Sequence, residues 1–181
     1  MVELKAGDVL CTATPVGWTP ISWLCGAIRK MSGSAWSHCA VVVELWGKLY
    51  VVEALATGIV VRPLSDWPRD CRVMVLRPCA PVDVRDFCTR AMSKVGHTGY
   101  DYSSLFWYQL IYQLTGHWVG RTAASKKADQ RLYCSEFVGW LYQAAFPKWW
   151  STAPKDVASC AAGTSHFAVV FEGDSKDLPA A

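Results

Sequence analysis

The sequence contains no long run of positive charge. Its 18 Lys and Arg residues slightly outnumber its 15 Asp and Glu residues, which gives a formal net charge of +3. No run of basic residues is longer than Lys126-Lys127. A protein that follows a nucleic-acid backbone needs clustered positive charge to neutralise phosphates, so this distribution argues against nucleic-acid binding.

Long apolar segments are missing as well. The longest aromatic-aliphatic stretch, residues 105–114, is about half of what a membrane-spanning helix needs and contains Gln109 and Gln113. We therefore expect no membrane span. The first eight residues carry acids where an export signal has a basic end followed by an apolar run, so we expect a cytoplasmic location or delivery elsewhere by a non-classical route.

The eight cysteines show no CxxC pair and no Cys/His spacing suited to tetrahedral zinc, and we expect no metal and no cofactor. Without a sign of secretion, most of them should be reduced, buried and chemically inert, with one exception. They stand at Cys11, Cys25, Cys39, Cys71, Cys79, Cys88, Cys134 and Cys160.

The length and composition predict one folded domain. The 181 residues suffice for one well-buried core, and 52% hydrophobic with 18% charged residues is typical of globular proteins. The element order is a helix, a block of strands, further helices and a last strand, which predicts an α+β fold with an antiparallel sheet packed against helices. We assign residues 1–172 to this domain and 173–181 to a polar tail.

Two strands and one helix matter most for function. Residues 38–44 and 49–54 are predicted strands joined by Leu45-Trp46-Gly47-Lys48, a natural hairpin connection. Apolar positions at helical spacing predict a helix over 134–145, and similar patterns predict helices over 82–95 and 103–115. Residues 116–130 are polar and are predicted to form a surface loop.

Cys134 is the cysteine that the pattern singles out. It stands where a predicted helix begins, and a helix N-terminus favours the reactive thiolate. Its spacing from Phe137, Val138 and Leu141 turns the sulfur toward whatever packs on the helix, and its backbone N–H could stabilise an oxyanion. The plainer interpretation is a small buried cysteine at a helix start.

His38 and Glu53 are the candidate partners of this thiol. His38 begins a strand, where an imidazole can face a helix that carries a nucleophile. If the hairpin pairs Leu45 with Lys48, Glu53 lies diagonally from His38 on the same face and can hold the ring in its working tautomer. A three-residue loop would turn Glu53 to the other face, where it would be an ordinary acid at a strand edge.

Several motifs together resemble the circularly permuted branch of the NlpC-type papain-like cysteine peptidases, whose wider relatives include the lecithin:retinol acyltransferase-like proteins. The resemblance covers roughly residues 4 to 172. Its motifs are Gly7-Asp8-Val9-Leu10, Ser34-Ala35-Trp36-Ser37-His38-Cys39-Ala40, Val51-Val52-Glu53-Ala54, Gly99-Tyr100-Asp101, Tyr133-Cys134-Ser135-Glu136-Phe137-Val138 and Thr152-Ala153-Pro154-Lys155-Asp156.

The resemblance implies a papain-like core in which a helix carries the nucleophile and a sheet carries the histidine and a third polar residue. His38 precedes Cys134 in the chain, as in the permuted branch, and Glu53 corresponds to that branch's glutamate. Family members also use a tyrosine that binds or polarises the scissile carbonyl, and Tyr100 is the candidate here. Cys39 departs from the family pattern, in which an apolar residue is usual.

Three functions remain open at this level. The leading one is hydrolysis of an amide bond in a small peptide, including peptidoglycan-type peptides, by a Cys-His-Glu triad. The second is acyl transfer, or ester or thioester hydrolysis, on a lipid-like substrate bound by the aromatic block at residues 100–112, although such aromatics are typical of cores. The third is a binding module that has lost its chemistry. The sequence leaves the oligomeric state open.

Overall fold

The described residues of the computed structural model are 2–13, 25–26, 29–30, 33–67, 70–101, 111, 114–115, 117, 131–163 and 165–178. They include one antiparallel six-stranded sheet with the order β4-β3-β2-β1-β5-β6. The strands are β1 Val9–Ala13, β2 His38–Leu45, β3 Lys48–Leu55, β4 Gly58–Pro63, β5 Arg72–Pro78 and β6 Phe167–Asp174. The α-helices among these residues are α1 Val84–Met92, α2 Cys134–Leu141 and α3 Pro154–Gly163, and short 3-10 helices lie at Leu64–Asp66, Trp149–Ser151 and Ser175–Asp177.

The sheet separates two apolar clusters. Side chains alternate between its faces, so Cys39, Val41 and Val43 of β2 pack with the helices, whereas Ala40 and Val42 pack on the opposite face. The helix-side cluster includes residues of all three α-helices. The second cluster is closed by the 3-10 helices and the chain ends, through Leu4, Leu64, Trp67 and Leu178. The prediction of an α+β fold with an antiparallel sheet packed against helices is confirmed.

The predicted hairpin register is also confirmed. Leu45 pairs with Lys48, and Trp46 and Gly47 form a two-residue turn with φ angles of 53° and 72°. Positive φ at both positions gives the turn that matches the twist of the flanking strands. A glycine accepts this conformation without strain, and the whole pairing of β2 with β3 follows from this turn.

The helix predictions are confirmed where they can be compared. Helix α1 lies inside the predicted 82–95 segment, with Asp83 as N-cap accepting a hydrogen bond from the Asp86 N–H at 3.0 Å. Helix α2 begins at Cys134 but ends at Leu141, and residues 142–145 form turns. The predicted helix at 103–115 and loop at 116–130 lie, apart from isolated positions, outside the described residues. No helix within the described ranges is both long and apolar enough to cross a membrane.

The predicted polar tail is not separate from the fold. Strand β6 continues past residue 172 to Asp174, and Leu178 is buried in the second cluster. The Ser175 side chain accepts a hydrogen bond from the Cys71 N–H at 3.2 Å, while the Ser175 N–H donates to the Cys71 carbonyl. Strand pairing, one hydrogen bond to the Ser175 side chain, one between backbone groups and the buried Leu178 therefore join residues 173–178 to the sheet, and the division into a domain of 1–172 and a tail of 173–181 stays a prediction.

Candidate active site

The first turn of α2 holds Cys134 in a buried position. The Tyr133 N–H donates to the Glu136 carboxylate at 3.2 Å, and the Ser135 hydroxyl donates to the Thr152 carbonyl at 2.8 Å. These bonds fix the helix start against the loop before α3. Cys134 is 1% exposed and packs in the helix-side cluster with Phe137 and other residues of its own helix face, as its spacing predicted.

His38 and Glu53 meet across the β2–β3 pair. Ala40 lies opposite Glu53, which places His38 diagonally from Glu53 on one face of the sheet. The His38 Nε2 atom is 2.8 Å from Glu53 Oε2. The His38 side chain is 18% exposed and that of Glu53 only 4%, so the pair is largely shielded from water.

The thiol completes the arrangement at the end of the sheet. Cys134 and His38 lie close enough for each to shift the pKa of the other, and because Nε2 is engaged by Glu53, Nδ1 is the ring nitrogen left for the sulfur. The backbone N–H groups of Cys39 and Ser135 also help to lower the pKa of the thiol. Glu53 shares its face with Val51 of the second cluster, whereas Cys134 belongs to the helix-side cluster. His38, the first residue of β2, therefore lies between Glu53 on one face of the sheet and Cys134 on the other.

This environment favours a charged thiol–imidazole pair. Burial by itself raises the pKa of the Cys134 thiol, but the charge of His38 and the hydrogen bonds from His38, Cys39 and Ser135 outweigh it and lower the pKa. Burial likewise lowers the pKa of His38, but the charges and hydrogen bonds of Cys134 and Glu53 raise it well above its ordinary value. The thiolate is the nucleophilic form of cysteine, so the arrangement is suited to attack on a carbonyl.

Two further residues lie beside Glu53, and neither is predicted by the sequence pattern. The Arg62 Nε atom lies 2.9 Å from Glu53 Oε1 in an ion pair, and the Trp67 side chain lies close enough to help lower the pKa of the carboxylate. Burial raises the pKa of Glu53, but His38, Arg62 and Trp67 together lower it. Arg62 could have been found by treating Leu55 to Gly58 as a second hairpin, because that register places it diagonally from Glu53.

Tyr100 is brought close to the start of α2. Gly99 and Arg131 form a parallel bridge, and the Leu132 N–H donates to the Gly99 carbonyl at 3.1 Å. Segment 99–101 therefore runs beside the residues that lead into Cys134, although the two are far apart in sequence. Tyr100 is half-buried and packs against the helix-side cluster. Its role toward a carbonyl stays a prediction.

A cleft of about 480 Å³ lies next to the segment that leads into His38. It is lined by residues 33–36, Met74 and four residues of α3, among them Asp156. Burial raises the pKa of Asp156, although the Ala153 N–H, which donates at 2.8 Å, and the charge of Lys155 oppose this. Cys134, His38 and Glu53 do not line this cleft.

Most of the thiols are buried, as expected. All eight cysteines are free, and six of them are buried. The Cys11 and Cys39 sulfurs lie 3.8 Å apart on neighbouring strands, on the helix-side face. Burial, together with Cys11, raises the pKa of Cys39 well above the usual thiol range, the opposite direction to Cys134. Within the described ranges, no group of three or more His, Cys, Asp or Glu side chains could hold a metal ion.

Fold and site together define an α+β protein with a Cys–His–Glu arrangement at one end of an antiparallel sheet. No family model matches the chain, and no curated protein is similar to it. Among solved structures, the chain is similar to the crystal structure of the metalloprotein yiiX from Escherichia coli O157:H7 (DUF1105), at 24% identity and a TM-score of 0.54. The likeness covers 79% of this chain and 67% of that chain. At this identity it shows a shared fold alone.

Proposed function

We propose that the chain is a cysteine hydrolase of the permuted papain-like type, which cleaves amide bonds in small peptides. The observation that carries the proposal is the Cys134–His38–Glu53 arrangement, in which His38 Nε2 lies 2.8 Å from Glu53 Oε2, the pKa of the Cys134 thiol is lowered and that of the imidazole is raised. A lowered thiol pKa beside a base that is itself oriented by an acid is the arrangement that nucleophilic catalysis requires. The order of the residues, His38 before Cys134, agrees with the permuted branch that the sequence resembles.

The reaction begins with attack of the Cys134 thiolate on the carbonyl carbon of the substrate. The C–S bond forms as the carbonyl π electrons move onto oxygen, and the resulting oxyanion can be stabilised by the Cys134 N–H at the start of α2. Tyr100 is the candidate side chain for the same oxygen. Protonated His38 then donates its proton to the leaving nitrogen, the C–N bond breaks, and an acyl-enzyme and an amine result.

Water completes the cycle. Neutral His38 removes a proton from water, the hydroxide oxygen attacks the thioester carbonyl, and collapse of the tetrahedral intermediate breaks the C–S bond. The products are a carboxylic acid and the Cys134 thiolate beside protonated His38, which is the starting state. Glu53 keeps Nδ1 of His38 directed at the sulfur throughout, since it holds Nε2 at 2.8 Å.

The two other functions have less support. Lipid acyl transfer would use the same acyl-enzyme, but its argument depended on the aromatic block at residues 100–112, of which residues 102–110 and 112 lie outside the described residues. A lowered thiol pKa gives no advantage to a protein that only binds a ligand, so the lowered pKa of Cys134 argues against a catalytically silent module. Amide hydrolysis therefore remains the leading proposal.

Alkylation tests whether Cys134 is a nucleophile. We expect iodoacetamide to modify Cys134 at a pH below the usual thiol range, because its pKa is lowered, and His38→Ala to slow this reaction at neutral pH by about ten-fold or more. The modified cysteine is located by mass spectrometry of the digested protein. Cys79, which is exposed, provides the matched control, since its reaction should not respond to His38→Ala.

Turnover tests the reaction itself. A panel of small peptide amides should give an acyl-enzyme whose added mass identifies the donor, and Cys134→Ala should abolish both the adduct and product formation while Cys79→Ala preserves them. Full activity in Cys134→Ala would contradict the proposal. A Cys134 that iodoacetamide does not modify would contradict the proposal as well, because a peptide substrate is bulkier than this reagent and would not reach the sulfur either.

A further inference from the structure

We propose that Arg62 is a positioning residue of the site, whose positive charge beside the second oxygen of Glu53 keeps the carboxylate ionised and paired with His38. This inference rests on the proposed function, in which Glu53 orients the histidine. Arg62 does not touch the thiol or the substrate carbonyl in this scheme. It acts through Glu53 alone.

The geometry follows from the pairing of β3 with β4. Val60 lies opposite Glu53, so Arg62, two residues further along β4, lies diagonally from Glu53 on the same face. His38 reaches Glu53 diagonally from the other neighbouring strand. The carboxylate therefore stands between two strands, with His38 Nε2 at 2.8 Å from Oε2 and Arg62 Nε at 2.9 Å from Oε1.

Burial explains why a second cation is needed. The Glu53 side chain is 4% exposed, and an isolated carboxylate in such a position would take up a proton rather than remain charged. The Arg62 side chain is 30% exposed, so its guanidinium group stays partly hydrated and the free energy of desolvating it is smaller. Arginine stays protonated at any pH at which the protein is folded, which makes it a permanent counter-charge.

The permanent positive charge of Arg62 matters because the charge of His38 changes during the proposed catalytic cycle. His38 is a cation when the thiolate attacks and neutral after it has protonated the leaving nitrogen, so its compensation of Glu53 is intermittent. Arg62 compensates Glu53 in both halves of the cycle and disfavours transfer of a proton from His38 to Glu53. A proton lost to Glu53 would no longer be available to the leaving group.

The test must consider every titratable group near the carboxylate. His38 faces the carboxylate from β2, and Arg62 faces it from β4. Trp67, which follows the Leu64–Asp66 helix, is not titratable but contributes to the pKa of Glu53. Cys71, before β5, is close enough for Glu53 and His38 to shift its pKa. Burial raises the pKa of Cys71, although Ser175 and His38 oppose this, so Cys71 stays protonated at acidic pH. A Cys71→Ala background removes this thiol from the measurement.

The experiment compares Arg62→Gln, Arg62→Lys and wild type by the rate of Cys134 alkylation against pH, in the full chain. We expect Arg62→Gln to lose about two- to five-fold in rate on the acidic side of the profile, the size expected for a partly exposed ion pair, with little loss at neutral pH. Arg62→Lys, which keeps the charge, should recover most of the loss. Arg72→Gln, in an exposed pair with Glu172 at 2.6 Å, is the matched control and should leave the profile unchanged.

The double variant separates a positioning role from a purely structural one. In a Glu53→Gln background, Arg62→Gln should change the acidic limb no further, because Arg62 acts only through the carboxylate. Equal losses at all pH values, or additive losses in the double variant, would overturn the inference. An unreactive wild-type Cys134 would instead overturn the proposed function, and circular dichroism of each variant shows whether it has folded.

Discussion

At the scale of single residues, His38 interacts with two neighbours, Glu53 and Cys134, at the same time. Glu53 occupies Nε2, and Cys134 is near enough to raise the pKa of the ring. Both neighbours are acids that favour a protonated ring, and their combined charge and hydrogen bonding exceed the opposing effect of burial. The pKa of the imidazole is therefore raised in a setting where burial alone would lower it.

Removing the thiol should lower the pKa of His38. In Cys134→Ala the largest effect that raises this pKa is lost, while burial and Glu53 remain, so the ring should titrate at a lower pH than in wild type. NMR of ¹⁵N-labelled histidines measures this, with His38→Ala assigning the signal. Cys88→Ala is the control for loss of a buried thiol elsewhere, and an unchanged His38 titration in Cys134→Ala would contradict the pairing.

The same shift fixes the sign of a stability effect. The folded pKa of His38 is raised, so between its ordinary value and the folded value only the folded chain holds the proton. The stabilisation from this group is complete below the ordinary value and is lost as pH rises through the folded value. Cys134, whose folded pKa is lowered, acts in the opposite way, and its contribution is lost as pH falls through its folded value.

At the scale of elements, Gly58 lets β4 approach the segment that carries Tyr100. Its φ of 114° is closed to most side chains, and an added Cβ would lie 2.6 Å from the Thr98 carbonyl oxygen. The Ile59 N–H donates to that oxygen at 3.2 Å, and the Gly96 N–H donates to the Ile59 carbonyl at 3.1 Å. This contact places residues 99–101 beside the start of α2.

Gly58→Ala should therefore destabilise the fold by about 3 kcal/mol, from backbone strain and the collision with Thr98. Gly47→Ala is the matched control, because Gly47 also has a positive φ, 72°, but an added Cβ would meet nothing within 4 Å. Gly47→Ala should lower the free energy of unfolding by about 1 kcal/mol, from backbone strain alone. Urea unfolding measures both, and equal losses would show that the close approach contributes nothing.

At the scale of the whole molecule, the N-terminal segment joins the sheet to the helices. Asp8 is fully buried and binds Arg77 of β5 through both oxygens, at 2.9 and 2.7 Å, while the Lys5 N–H donates to it at 2.8 Å. The Tyr142 hydroxyl, just after α2, donates to the Gly7 carbonyl. The Gly-Asp motif at residues 7–8 is thus a structural junction.

Asp8→Asn should lower the free energy of unfolding by about 3 kcal/mol, since breaking one partner of a buried pair leaves the other charge uncompensated. The expected loss is at the lower end of the usual range because Arg77 is 28% exposed. Glu172→Gln removes the acid of the exposed pair with Arg72 and should cost less than about 1 kcal/mol. Similar losses in the two variants, measured by urea unfolding, would argue against the junction.

The candidate site could be predicted from sequence only where local pattern sets geometry. The sequence left the length of the hairpin loop open, and once Trp46 and Gly47 form a two-residue turn, its register places Glu53 beside His38. The start of α2 at Cys134 followed in the same way from apolar spacing. Arg62 was missed because its partner is set by a second hairpin, and the burial of Leu178 was not predicted because it is a single apolar residue in a polar segment.

The amino-acid order alone determined the fold class, the hairpin and the cysteine at a helix start, because each depends on neighbours within a few residues. Only the tertiary structure decided that the Cys134 sulfur meets the His38 ring, that Arg62 and Trp67 surround Glu53, and that residues 99–101 lie beside 131–133. Such contacts join distant parts of the chain. Their distances and burial, which set the pKa of each group, arise from packing that no local pattern encodes.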